Sequence, residues 1–364
     1  MNTPRVAFTL EQCWHEVPGG TAVATLRLLD ALLARDDVEM VPVAGRHRRP
    51  PAAVPPMPVH ALPLARPWLY EAWTRIGWPN IESATGAVDV AHATAQIPAP
   101  ARAPRVVTLH DVAFLDRPER LTRHGARLLT RAVRRAVDCD AVVCPSHVVA
   151  DQVVRAGVSA DRVRVIGWGV DQVAVTHAER ERVRTRFDLP PEMILAVATL
   201  EPRKNLARLV AAVHSRDDLP PLVVAGAAGW GGVADELGAI DSERVRLLGA
   251  VDRADLAVLY DLAQVVAYPS EDEGFGLPVL EAMAAGTPVV TSQGTATEEV
   301  AGGAAVLVDP YNVASIADGL VAALADRAAL STAGHTRAAA MSWVACADAH
   351  VEMYQHLSSV RGRR

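Results

Sequence analysis

Two glutamates, an arginine and the chain's one lysine carry the clearest chemistry in this sequence. Glu273 and Glu281 bracket the segment Glu273-Gly-Phe-Gly-Leu-Pro-Val-Leu-Glu281. Gly274 and Gly276 let backbone approach a ligand closely, and Pro278 suits the first turn of a following helix. N–H groups at such a helix start offer positive dipole ends to an anion. Glu273 belongs to the loop and Glu281 falls inside the helix, so the pair could address two parts of one elongated ligand.

A second segment, Thr199-Leu-Glu-Pro-Arg203-Lys204-Asn205, follows the apolar run Met193–Ala198. Adjacent Arg and Lys at the carboxyl end of a strand suit a diphosphate, one as a planar fork and the other as a point charge. Asn205 is of a type that caps helices. Of 36 basic residues 35 are Arg, so Lys204 stands alone in a chain that uses Arg wherever either would serve. That points to a requirement for a compact ammonium at this position.

Weaker signals surround these two. Val17-Pro-Gly19-Gly20-Thr21 sets a glycine pair before a helix, where a phosphate site and a plain turn fit equally. His110-Asp111 ends a strand; its imidazole could bond a sugar hydroxyl or a leaving oxygen, and a packed structural histidine fits equally well. His92 is a lesser candidate of the same kind, and Glu298-Glu299 is open between a ligand contact and a helix start. No nucleophile elbow, P-loop or metal-ligand spacing is present. Only Asp138-Cys-Asp140 has Asp-x-Asp spacing, and it precedes a strand, so no metal is expected.

The elements that must position these residues alternate regularly. Strand patterns fall at Arg5–Leu10, Val38–Ala44, Val88–Ala91, Val106–Leu109, Ala141–Cys144 and Val163–Ile166, then at Met193–Ala198, Leu222–Ala225, Val245–Leu248, Val265–Tyr268, Pro288–Thr291 and Ala304–Leu307. Helical patterns lie between them, beginning with Thr21–Ala34 and ending with His335–Leu357. Continuous apolar strands separated by helices predict parallel sheets covered on both faces, and two such series predict two doubly wound α/β domains. Gly45–Arg66, with six prolines, reads as a surface loop, and the domain boundary falls in Gly167–Ala178. In such sheets ligands bind beyond the carboxyl ends of strands, where all the candidates above sit.

Composition narrows the class further. With 21% charged and 50% hydrophobic residues the chain is globular, and no apolar stretch reaches the length of a membrane span. Residues 1–170 carry a net charge of +4 and residues 171–364 a net of −10, so the second half is unsuited to nucleic acid. The Arg117–Arg135 run, with Arg120, Arg123, Arg127, Arg131, Arg134 and Arg135, reads as a solvated helix face or as a contact for anionic lipid or an anionic acceptor. The N-terminus reads as a strand instead of a signal peptide, and four scattered cysteines suit a reducing cytoplasm, with peripheral contact at the inner membrane face as an option.

Taken in chain order, VPGG, LHD at 109–111, PSH at 145–147, LEPRKN at 200–205, the Glu273–Glu281 segment, EEVAGGAAVLVDP at 298–310 and SW at 342–343 resemble retaining glycosyltransferases of family 4, which have the GT-B fold. Glu273 and Glu281 match that family's E-x7-E signature, and EPRKN resembles its mannosyltransferase-like branch. Gly167-Trp-Gly-Val-Asp171 departs from the Pro-Asn-Gly-Val turn usual there. The resemblance implies two Rossmann-like domains, 1–170 and 171–340, facing across a cleft, with a final helix in 341–364 crossing back to the first. It implies a nucleoside-diphosphate sugar donor, GDP-mannose or a UDP-sugar, no further cofactor, and a hydroxyl acceptor that is lipid-linked or an oligosaccharide.

Carried over residue by residue, the resemblance assigns Arg203 and Lys204 to the diphosphate and Glu281 to the ribose. Glu273 and the backbone of Gly274, Phe275, Gly276 and Leu277 orient the sugar. Gly19 and Gly20 approach a phosphate, His110 reaches the sugar near its 6-hydroxyl, and Thr199 and Val251 complete the donor set. A GT-B phosphorylase, an epimerase and a non-catalytic sugar-nucleotide binder share this architecture. A nicotinamide oxidoreductase would need GxGxxG after a strand, which is absent.

Overall fold

Valine-rich runs without polar alternation can form strands only where helices cover both faces of the sheet. The computed structural model, which describes residues 3–15, 19–118, 121–239 and 243–361, meets this condition twice. The chain divides into two units, Met1–Gly169 with Trp343–Arg364, and Val170–Ser342.

The first unit runs β1 Arg5–Thr9, α1 Gly19–Leu33, β2 Glu39–Ala44, β3 His60–Ala61, α2 Trp68–Arg75, α3 Glu82–Thr85, β4 Val90–Ala93, β5 Arg105–Thr108, α4 Arg123–Ala136, β6 Ala141–Cys144, α5 His147–Arg155 and β7 Val163–Val165. Among the described residues these strands make one parallel sheet in the order β3-β2-β1-β4-β5-β6-β7. The order reverses between β1 and β4, so the loops leaving their carboxyl ends flank the point where such folds take ligands.

The second unit runs α6 His177–Phe187, β8 Ile194–Val197, α7 Leu206–His214, β9 Leu222–Ala225, α8 Val233–Gly238, β10 Val245–Gly249, α9 Arg253–Leu262, β11 Val265–Tyr268, α10 Leu277–Ala284, β12 Val289–Ser292, α11 Ala296–Ala301, β13 Val306–Val308, α12 Val313–Ala325 and α13 Arg327–Ala339. Its parallel sheet has the order β10-β9-β8-β11-β12-β13, with the reversal between β8 and β11. Helix starts carry the side chains that accept orphan N–H groups: Ser146 for α5, Asp252 for α9, and Thr176 with Glu179 as a capping box for α6.

Several sequence expectations change. The glycine pair Gly19-Gly20 forms the first turn of α1 instead of preceding it, and Val17 and Pro18 lie outside the described residues. The proline-rich stretch contributes β3, a two-residue strand at the sheet edge, the place where proline-flanked segments are tolerated. The expected last helix His335–Leu357 is two helices: α13 stops at Ala339, and α14, Trp343–Arg361, starts anew in the first unit, packed on α1 and β4. Between them the Met341 carbonyl accepts the Val170 N–H at 3.1 Å.

His92 is also relocated. It lies within β4, wholly buried, with Nδ1 2.6 Å from the Tyr354 hydroxyl of α14 and Nε2 2.8 Å from Thr108 Oγ1. Burial pushes its pKa well below the ordinary histidine range, so it is a neutral core residue that fixes α14 to the sheet. Tyr354→Phe strands one buried ring nitrogen and is expected to cost about 1–3 kcal/mol of stability, read from urea unfolding. An unchanged midpoint and slope would refute this role.

Candidate active site

In the second unit the site follows from strand order. β8 and β11 are parallel neighbours, with Val265 opposite Ile194, so the loops after them lie side by side although 69 residues separate Lys204 from Glu273. In the first loop Pro202–Lys204 forms a single 3-10 turn, and the Arg203 carbonyl accepts the Glu271 N–H of the second loop at 2.8 Å. The loop after β9 packs directly on the first: a Cβ on Gly226 would fall 1.8 Å from the Ala198 carbonyl oxygen. Only glycine allows that approach.

The two loops bring four side chains together. Lys204 Nζ donates to Glu273 Oε1 at 2.5 Å and to the Tyr268 hydroxyl at 2.7 Å, and that hydroxyl donates to the same carboxylate oxygen at 2.9 Å. Arg203 Nη1 stands 3.3 Å from Glu273 Oε2. Lys204 is 8% exposed and Glu273 7%. Burial alone would raise the Glu273 pKa, but the Lys204 ammonium and Arg203 guanidinium outweigh it and hold it below the carboxylate range. Burial lowers the Lys204 pKa, with Glu273 acting against that shift. Tyr268 is pushed far up by burial and by Glu273, so it stays a neutral donor.

The remaining candidates of the second unit lie on other turns and helices of the same unit. Gly276 has φ +107°, and a Cβ there would meet Thr297 Cγ2 at 2.7 Å, so the turn into α10 also requires glycine. Phe275 is buried, and Leu277 opens the helix. Glu281 lies one turn inside α10, where Arg253 Nη2 and the Tyr260 hydroxyl each donate to it at 2.9 Å. Thr199 is exposed, and Val251 is half-buried just before the α9 cap. Asn205 does not cap α7 with its side chain. Its amide donates to the Pro269 and Pro310 carbonyls at 2.9 and 2.6 Å, tying the loops together.

Glu298 lies in the first turn of α11 and accepts the Gly294 N–H at 2.6 Å. Tyr268, Trp230, Arg253 and Tyr260 bear on the site without belonging to any quoted motif, and Glu201 lies in one without having been assigned a role. Tyr268 had a signal in retrospect, as a polar-tipped aromatic at a strand's carboxyl end. Glu201 accepts from Arg203 Nε and from Trp230 Nε1, both at 2.8 Å, and so orients the guanidinium.

In the first unit His110 is buried after β5. Its Nε2 lies 2.8 Å from the Thr94 carbonyl, which can only accept, so that nitrogen carries the proton and Nδ1 is the acceptor. Burial lowers its pKa, keeping the ring neutral. The arginine run forms α4, where Arg131 pairs with Glu71 at 2.7 Å and Arg135 donates to the Thr74 and Arg75 carbonyls. Arg123, Arg127 and Arg134 are exposed, and Arg120 lies outside the described residues. Among the described residues no group of three His, Cys, Asp or Glu side chains is arranged to hold a metal, and no helix is long and apolar enough to cross a membrane.

The buried pair makes a stability prediction. Lys204→Met removes the buried partner of Glu273 and leaves only Arg203 as a counter-charge, and is expected to cost about 3 kcal/mol, whereas Lys204→Met with Glu273→Gln recovers much of that loss. Because the folded Glu273 pKa is depressed from 4.5, its contribution is present above that pH and lost as acid protonates it. Urea unfolding of both variants checks this; equal loss in both would disprove it.

Residues 177–340 match the family described as Glycosyl transferases group 1, and residues 18–173 match Glycosyltransferase Family 4. The chain is 31% identical over 273 residues to the O-antigen chain mannosyltransferase B of Escherichia coli, covering 69% of this chain and 70% of that relative. It is 32% identical over 280 residues to the D-inositol 3-phosphate glycosyltransferase of Mycolicibacterium smegmatis, covering 71% and 64%. The crystal structure of Anabaena HepE with UDP-glucose superposes with a TM-score of 0.71 at 18% identity, covering 99% of this chain and all of that one, a likeness of fold. Two parallel-sheet Rossmann-like units, a glutamate pair spaced as in the family and matches along nearly the whole length lead to one conclusion: the chain belongs to glycosyltransferase family 4 and has the GT-B fold.

Proposed function

We propose that this glycosyltransferase moves a hexose, with mannose favoured, from a nucleoside-diphosphate sugar to a hydroxyl acceptor in glycan, glycolipid or glycoconjugate synthesis, with retention at the anomeric carbon. The carrying observation is the pair of cations, Arg203 and Lys204, gathered by Glu273 beside the start of α10. Mannose as the transferred sugar is supported by the mannosyltransferase named above, and a UDP-sugar donor by the UDP-glucose complex of HepE.

In this reading the Arg203 fork and the Lys204 ammonium hold the diphosphate, with Gly19 and Gly20 as further phosphate contacts. Glu281, already fixed by Arg253 and Tyr260, takes the ribose hydroxyls. Glu273 and the backbone of Gly274–Leu277 orient the hexose, with Thr199 and Val251 flanking the donor. His110 accepts a proton-bearing sugar hydroxyl at Nδ1. As the anomeric C–O bond breaks, positive charge grows on the sugar and negative charge on the departing diphosphate. Fixed cations and helix-start N–H groups favour that separation. The acceptor oxygen bonds to the anomeric carbon from the leaving group's face and gives its proton to the leaving phosphate oxygen. No carboxylate nucleophile is needed, and Glu273, bound to three donors, is poorly suited to be one. The exposed Arg123, Arg127 and Arg134 support contact with anionic lipid at the cytoplasmic membrane face.

Label transfer from candidate donors tests the reading: passage of the hexose to an acceptor supports it, and passage to phosphate or to neither sinks it. With the donor in hand, Glu273→Gln should lower kcat by about 10²-fold or more, because it removes charge beside the growing cation. Glu281→Gln should chiefly raise donor KM. The reverse pattern would exchange the two assignments. We also expect turnover to need no divalent metal, since side-chain cations occupy that role. Activity abolished by EDTA and restored by Mg²⁺ or Mn²⁺ would refute this.

A further inference from the structure

The segment that departs from the family's turn is packed against a candidate catalytic residue. Trp168 is 5% exposed, and its indole stacks on the His110 imidazole with centroids 5.7 Å apart and planes inclined by 26°. Trp343 contacts Trp168 in turn, at 6.2 Å and 43°. Trp168 occupies the position held by Asn in the Pro-Asn-Gly-Val turn usual in the family. In a chain with 4% aromatic residues, two tryptophans joined to one histidine mark a built arrangement.

We propose that Trp168 is a positioning residue for His110, holding the imidazole in the orientation in which Nε2–H donates to the Thr94 carbonyl and Nδ1 is left as hydroxyl acceptor. Nε2 makes one hydrogen bond, to the Thr94 carbonyl, and one bond alone leaves the ring able to twist about its axis. A stacked indole packed on one face of the ring restricts that twist. Trp168 and Trp343 also bracket the two places where the chain passes between units, Gly169–Val170 and Ser342–Trp343. The Val170 N–H to Met341 carbonyl bond joins the two crossing segments. The ring series Trp343–Trp168–His110 therefore begins beside both crossings.

The inference rests on the assignment of His110 to a substrate hydroxyl. It is tested on the full chain by ¹⁵N NMR of the histidine rings, with His110→Ala identifying the His110 signals, and by hydrolysis of GDP-mannose and UDP-glucose. Wild type should show His110 as one Nε2–H tautomer. Trp168→Leu should mix the tautomers and lower kcat about tenfold or more with donor KM within about threefold, as expected when a catalytic group is misplaced. Trp168→Phe, which keeps an aromatic face, should retain wild-type ring signals and most of the turnover. Wild-type ring signals in Trp168→Leu would overturn the inference, as would Trp168→Phe being as impaired as Trp168→Leu. If His110→Ala is impaired while Trp168→Leu turns over donor like wild type, the inference fails alone. If His110→Ala itself turns over donor like wild type, the assignment of His110 fails and this inference fails with it.

Discussion

An ammonium and a carboxylate 2.5 Å apart, each more than nine-tenths buried, set the terms for the second unit. Removing either charge from water costs several kcal/mol, and their attraction offsets this only if the geometry is held and spare donors are satisfied. The loops after β8 and β11 meet that condition. Tyr268 closes a three-way hydrogen-bonded ring with the pair, and Arg203 faces the second carboxylate oxygen. Glu201 and Trp230 restrain the guanidinium. A compact ammonium fits between a phenol and a carboxylate at 2.7 and 2.5 Å, where a planar guanidinium could not take the same position, and this accounts for a lysine in a chain otherwise built with arginine.

The close-packed backbone around the pair follows from the same constraint. The Gly226 approach to the Ala198 carbonyl packs the loop after β9 on the loop after β8, and the left-handed Gly276 packs the entry to α10 on Thr297. Asn205 gives up a capping role to bond two carbonyls in neighbouring loops. Each choice costs local conformational ease and lets the loops around the pair pack closely. Such local compromise is typical of functional sites, where pre-organisation outranks propensity.

The first unit solves a milder problem with neutral groups. His92 and His110 both end up uncharged because they are buried, yet they serve different ends. His92, bonded at both nitrogens, anchors α14 to the sheet. His110, bonded at one nitrogen and stacked on Trp168, keeps an acceptor nitrogen. Identical side chains on neighbouring strands thus diverge through their partners, and two residues of α14, Trp343 and Tyr354, bear on the two histidines.

Much of this was legible in the sequence for physical reasons. Apolar, β-branched runs such as Leu222–Ala225 and Val265–Tyr268, alternating with longer helical patterns, suit buried parallel strands, and the Glu273–Glu281 segment places one glutamate in a loop and one in the following helix. Adjacent residues such as Arg203 and Lys204 are also necessarily placed together. Three other things were decided only in three dimensions. Strand order puts β8 beside β11 and so joins Lys204 to Glu273 across 69 residues, a pairing that no local pattern encodes. The extent of β4 decided the place of His92: the strand runs on to Ala93, so the histidine lies within a sheet buried on both faces, and a short run does not fix its own ends. The break before Trp343 hides within continuous helical periodicity, because it is set by where the chain must return to the first unit and not by any residue that forbids a helix.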